Sequence, residues 1–124
     1  MLDLSSLNDA QKQAVTAPLG PVLVLAGPGS GKTKTLTFRI AYIIEKRLIN
    51  PVNILALTFT NKAAKEMRAR VRKLLSRFQG VSEQLTMGTF HSVCARILRK
   101  EISALGYSPN FTIFDTDDQH KVIR

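Results

Sequence analysis

The chain has 124 residues, 44% of them apolar and 22% charged, which describes one globular domain at most, long enough to bury a core. Eighteen Lys and Arg against nine Asp and Glu give a net charge of +9, a balance that points to a polyanionic partner. No apolar run reaches the ~18 residues of a membrane span, Met1-Leu2-Asp3 lacks a signal peptide's basic start, and a single cysteine excludes an internal disulfide; a cytoplasmic protein with no membrane partner is expected.

Leu7–Val15 reads as a short helix with Asn8 as N-cap and Gln11 three residues on, a capping-box spacing. Gln11 has two readings: it closes that box, or its carboxamide, both donor and acceptor, pairs with an adenine edge. Pro18, Gly20 and Pro21 punctuate the chain before Val22–Leu25, four apolar residues that suit a strand buried on both faces. Ala26, Gly27, Pro28, Gly29, Ser30 and Gly31 then form a loop whose three glycines let the backbone turn tightly and approach a ligand. Lys32 and Thr33 follow, and helical spacing takes over at Leu36, Ile40, Ile43 and Ile44. Strand, glycine loop, Gly-Lys-Thr and helix make the phosphate-binding loop of nucleotide hydrolases, with Ala26 where the strict pattern has Gly. Backbone N–H groups from Gly27 to Thr33 would cradle phosphates, Lys32 would reach the outer ones, and the Thr33 hydroxyl would ligate Mg²⁺. The plain alternative is a Gly-rich turn with a solvated Lys32.

Asn50-Pro51 ends that helix, and Asn53–Phe59 is a second apolar run read as a buried parallel strand, completing a βαβ unit with ligand sites at the strands' C-terminal ends. The next helix carries its apolar stripe on Ala64, Met67, Val71, Leu74, Leu75 and Phe78. Seven of the eighteen basic residues fall between Lys62 and Arg77, with Glu66 the only acid; they form either a solvated face or a nucleic-acid contact. The loop before the helix offers Phe59 for base stacking and Thr60 and Asn61 as donors to phosphate oxygens. Leu85–Phe90 reads as a third strand that again ends in Thr-Phe, at Thr89-Phe90, with His91 next. Two strands delivering Thr-Phe at one edge suggest a single stacking groove. A helix follows to about Leu105 with Gly106 as C-cap, and Cys94 is expected to be a small core residue. The acidic cluster Asp115, Asp117 and Asp118 reads as a helix start capped by Thr116 and Gln119, not as a metal site.

Together these motifs resemble the UvrD/Rep/PcrA-like superfamily 1 DNA helicases, from about Leu7 to the C-terminus. L-N-D-A-Q-K-Q-A-V looks like that family's Q motif, A-G-P-G-S-G-K-T its motif I, T-F-T-N-K-A-A-K-E-M its motif Ia, and T-F-H-S its next DNA-binding motif. The resemblance implies an α/β fold, a P-loop (RecA-like) parallel sheet flanked by helices, present here as a partial domain. It also implies that Gln11 recognises adenine, that Lys32 and Thr33 hold the phosphates and Mg²⁺ of ATP, and that Phe59, Thr60, Asn61, Thr89, Phe90 and His91 line a single-stranded DNA track. Lys34 stands where the family usually has an adenine-stacking Arg. The family's Asp-Glu motif, its arginine fingers and its second RecA-like domain lie further along its polypeptides. Residues 1–110 would be the front of the first ATPase domain and 111–124 the start of an inserted helical subdomain. The implied function is an ATP-dependent 3′–5′ DNA helicase or translocase acting at duplex junctions in repair or replication, the chain alone having little ATPase activity. The alternatives are a stand-alone module that grips nucleotide or single-stranded DNA without catalysis and, more weakly, a small P-loop kinase.

Overall fold

A computed structural model describes residues 1–123. The elements in order are α1 (Asp9–Thr16), α2 (Lys32–Glu45), β1 (Leu55–Thr58), α3 (Asn61–Leu74), β2 (Thr86–Thr89), α4 (Phe90–Glu101) and α5 (Thr116–Ile123), with short 3-10 turns at Pro51–Asn53, Ser82–Gln84 and Ile102–Leu105. β1 and β2 pair in parallel, joined by the α3 crossover, in the register Leu55–Thr86, Ala56–Met87, Leu57–Gly88 and Thr58–Thr89. The fold is therefore α/β, with a two-stranded parallel sheet and helices against it. By internal contacts the chain divides into two compact units, Met1–Phe90 and a second beginning at His91.

Within the first unit the apolar stripes close one main core: Ile40, Ala41 and Ile44 of α2, Met67 and Val71 of α3 with Leu75 just beyond it, and Ala56 and Met87 of the strands. Leu7, Val15 and Phe38 form a smaller cluster that seats α1 on α2. Two long-range ties add to this packing. Arg39 Nη1 donates to the carbonyls of Val15, at 2.8 Å, and Ala17, and Nη2 donates to Pro18 at 3.2 Å; one side chain thus serves two of the carbonyls that the end of α1 leaves unpaired and one just beyond it. Glu45, at the end of α2, accepts from the Leu2 N–H at 2.8 Å and pairs with Arg77 at 2.8 Å. Burial opposes ionisation of Glu45, but the Leu2 N–H and the Arg77 guanidinium outweigh it and hold the carboxyl below its ordinary value.

Three sequence-based expectations need correction. Val22–Leu25 is not a strand: it pairs with nothing among the described residues, and its four side chains are 48% to 87% exposed. A run apolar on both faces needs a partner strand and layers over both faces, and the described sheet, β1 with β2 alone, supplies it with neither. An apolar cavity of about 550 Å³ opens between Val22 and Val24 and the Leu36–Ile43 side of α2. Cys94 is exposed, not core; at 100° per residue it sits a quarter-turn round α4 from the buried Val93. In the second unit the cap of α5 is Asp115, whose Oδ1 accepts from the Asp118 N–H at 2.8 Å, one residue before the expected Thr116. Elsewhere in that unit Arg99 donates to the Pro109 carbonyl at 3.0 Å and lies 4.4 Å from the Phe111 ring centroid, and Gly106 closes the helical run at φ 83° as expected.

Candidate functional site

The glycine loop enters α2 through two left-handed residues, Gly29 at φ 72° and Gly31 at φ 80°, a region in which only glycine is unstrained. Ser30 N–H and Oγ both donate to the Gly27 carbonyl, at 3.3 and 2.5 Å, which folds the loop back on itself. Gly31 is the N-cap residue of α2, and no side chain caps that helix. The contrast with its neighbours is informative. Asn8 caps α1 through Gln11 N–H, and Thr60 caps α3 through Ala63 N–H. The 14-residue α2 alone of these three leaves its first-turn amides without a side-chain acceptor, and no acid lies in that turn. An uncapped N-terminus next to Lys32, itself exposed, is a concentrated positive site with donors already aimed outward. Thr33 is exposed on the same turn and offers one hydroxyl oxygen to a hard cation. No cluster of three His, Cys, Asp or Glu able to hold a metal occurs among the described residues. The residues present thus fit a phosphate group, with one oxygen ligand for Mg²⁺ and the remaining ligands coming from phosphate and water.

Gln11 closes the capping box, and its amide also reaches the glycine loop. Its Oε1 accepts from Asn8 N–H at 2.9 Å, completing the capping box, while Nε2 donates to the Ser30 carbonyl at 3.1 Å. α1 is in this way fastened to the glycine loop, and the carboxamide stands beside Gly31 with no room for a Cβ there: one would meet Gln11 Nε2 at 2.7 Å. Lys34 turns back from the loop and donates to the Ser6 carbonyl at 2.9 Å. Ala26 is half-buried and Pro28 exposed.

The Thr-Phe pairs meet at one sheet edge. The register sets Thr58 beside Thr89, so the following residues, Phe59 and Phe90, leave neighbouring strands together. Their ring centroids are 5.2 Å apart at 31°, with Phe59 88% and Phe90 43% exposed. Two solvent-facing aromatic rings in contact form an apolar shelf of the size a nucleobase covers. Thr60 accepts from Ala63 N–H at 3.1 Å as N-cap, which leaves its own hydroxyl proton free to donate, and Asn61 is exposed at the start of α3. Thr89 is buried. His91 is exposed and opens the second unit. Arg68 Nη2 donates to the Met87 carbonyl at 2.7 Å and so ties α3 to β2 behind this edge.

A sequence profile of the UvrD/REP helicase N-terminal domain matches residues 7–124. The chain belongs to that family. Two relatives of the UvrD/REP family are the ATP-dependent DNA helicase PcrA of Staphylococcus aureus (strain Mu50) and of Staphylococcus epidermidis (strain ATCC 12228), each 49% identical over 121 residues. That similarity covers 98% of this chain but only 16% of either relative, so the chain spans about one sixth of their length. The UvrD/REP match begins at Leu7, the buried residue that packs with Val15 and Phe38 at the root of α1. It therefore takes in the α1–loop–α2 assembly and the Phe59–Phe90 edge entire. Arg39 and Glu45 are the positioning residues that sequence reasoning missed. Each acts on carbonyls or amides more than twenty residues away, and the only local sign was an acid in the last turn of α2, where the helix dipole disfavours one.

Proposed function

We propose that this chain is the nucleotide-binding front of an ATP-dependent DNA helicase or translocase. The single observation that carries the reading is the uncapped N-terminus of α2 behind a twice left-handed glycine loop, a place built to accept an anion. Lys32 and Thr33 would hold the outer phosphates and Mg²⁺, and Gln11 the adenine, through the amide that now rests on Ser30. ATP bound there supplies the free energy of phosphate release. Phe59, Thr60, Asn61, Thr89, Phe90 and His91 would hold single-stranded DNA, and the Phe59–Phe90 shelf with the net charge of +9 supports that part. The UvrD/REP family and the names of the PcrA relatives support an activity of helicase type.

On this reading the parent protein works in the cytoplasm, travels 3′ to 5′ and opens duplex junctions during repair or replication. The Asp-Glu motif, the arginine fingers and the second RecA-like domain come from further along the polypeptide, so residues 1–124 alone hydrolyse little ATP. In that longer protein the parallel sheet extends into a RecA-like one, and residues 111–124 lead into a helical subdomain. The test is Lys32→Ala in the polypeptide that carries this chain. ATP hydrolysis and strand separation should both disappear while binding to an oligothymidine persists; unwinding retained by the variant would sink the assignment.

A further inference from the structure

Seven cations lie between Lys62 and Arg77, and three of them have partners. Arg68 donates to the Met87 carbonyl, Arg72 faces Glu83 at 3.5 Å and Arg77 faces Glu45 at 2.8 Å. The other four, Lys62, Lys65, Arg70 and Lys73, are exposed and make no hydrogen bond or ion pair among the described residues. At 100° per residue they occupy a band about 140° wide, opposite the buried Ala64, Met67 and Val71, and from Lys62 to Lys73 the rise is about 16 Å. Glu66 is the only acid in the band. Lys62 and Lys65, like Arg70 and Lys73, are like charges three residues apart, an arrangement that repels. At the C-terminal end Arg70 and Lys73 border a groove of about 680 Å³ that Lys34 and Arg77 also line, with Asp3 its one carboxylate.

We propose that this outer face of α3 binds the sugar–phosphate backbone of duplex nucleic acid, separately from the Phe59–Phe90 shelf. The face bears cations and no aromatic side chain. It can therefore grip phosphates but offers nothing on which an unpaired base could stack. A duplex presents just that surface: bases inside, phosphates outside, one per 3.4 Å of axial rise on each strand, so a face about 16 Å long is long enough to meet several of them. The inference rests on the nucleic-acid reading above and adds a second contact surface to it.

The experiment replaces Lys62, Lys65, Arg70 and Lys73 together by Gln in the polypeptide that carries this chain. Binding of a blunt duplex and of an oligothymidine is measured between about 50 and 200 mM salt. The slope of log K against log salt for the duplex should fall by about 3.6, removing about 150-fold of the affinity change across that range, with oligothymidine affinity unchanged. A charge-preserving variant (Lys62→Arg, Lys65→Arg, Arg70→Lys, Lys73→Arg) should keep the original slope, which separates lost charge from a damaged helix. A duplex slope unmoved by the Gln variant, or a parallel fall for both DNAs, overturns the proposal. A parent polypeptide that binds oligothymidine but no duplex overturns this face alone, whereas one that binds neither overturns the nucleic-acid reading beneath it.

Discussion

Gly31→Ala probes the junction between α1 and the glycine loop, and its cost can be worked from two contributions. Gly31 sits at φ 80°, where an L-residue with a Cβ is disfavoured by about 1–2 kcal/mol. The new methyl would also stand 2.7 Å from Gln11 Nε2, so the carboxamide must swing away and give up its bond to the Ser30 carbonyl. That bond is exposed and contributes about 0.5–1 kcal/mol. The sum is about 1.5–3 kcal/mol, and it should be read as a shift in the urea midpoint of the chain by far-ultraviolet circular dichroism. Gln11→Ala supplies the control: with the obstructing amide gone, Gly31→Ala should cost only the backbone part, about 1–2 kcal/mol. A cost below about 0.5 kcal/mol for Gly31→Ala, or a cost unchanged by removing Gln11, would refute the clash at this junction.

Three other perturbations have clear directions. Phe59→Ala should weaken oligothymidine binding by about 1–3 kcal/mol through lost stacking, checked by fluorescence anisotropy, and an unchanged affinity would rule out the shelf as a base platform. Arg39→Ala strips the end of α1 of the guanidinium that now serves three carbonyls, at a cost of about 1.5–3 kcal/mol. Arg39→Lys should recover only part of this, because a point ammonium cannot replace a fork; full recovery in thermal melts would contradict the geometry. Glu45 has a folded-state carboxyl held below its ordinary 4.5, so its contribution is fully present above that value and is lost as pH falls through the lower folded one. Glu45→Gln should therefore flatten the acid limb of the stability–pH curve, and an unaltered limb would remove Glu45 from it.

The helices were legible wherever a stripe and a cap coincided. Asn8 and Gln11 close the capping box of α1 as their spacing required, and Ala64, Met67 and Val71 are buried on the stripe of α3. The glycine loop was equally plain, since its conformation depends on residues next to one another. Val22–Leu25 was not legible, because four apolar residues state a need for cover without saying whether a neighbour supplies it. Cys94 misled for a related reason: apolar company in sequence is not apolar company round a helix, and a quarter-turn decides it. Arg39 and Glu45 were invisible because their partners lie far off along the chain, where no periodicity reaches. At the shelf the residue types were readable, but that Phe59 and Phe90 touch follows from a register that only pairing sets.

The spacing of those two rings limits how any guest can use them. Admitting a flat heterocycle between them would take two stacking distances, about 7 Å in all, and the centroids stand 5.2 Å apart. On the proposed reading a visiting base would therefore be received on one side only, laid against the bare outer surface of Phe59 like a card on a table. It could be lifted off again without any ring having to swing open, a property that would suit a surface over which a filament is repeatedly set down and released.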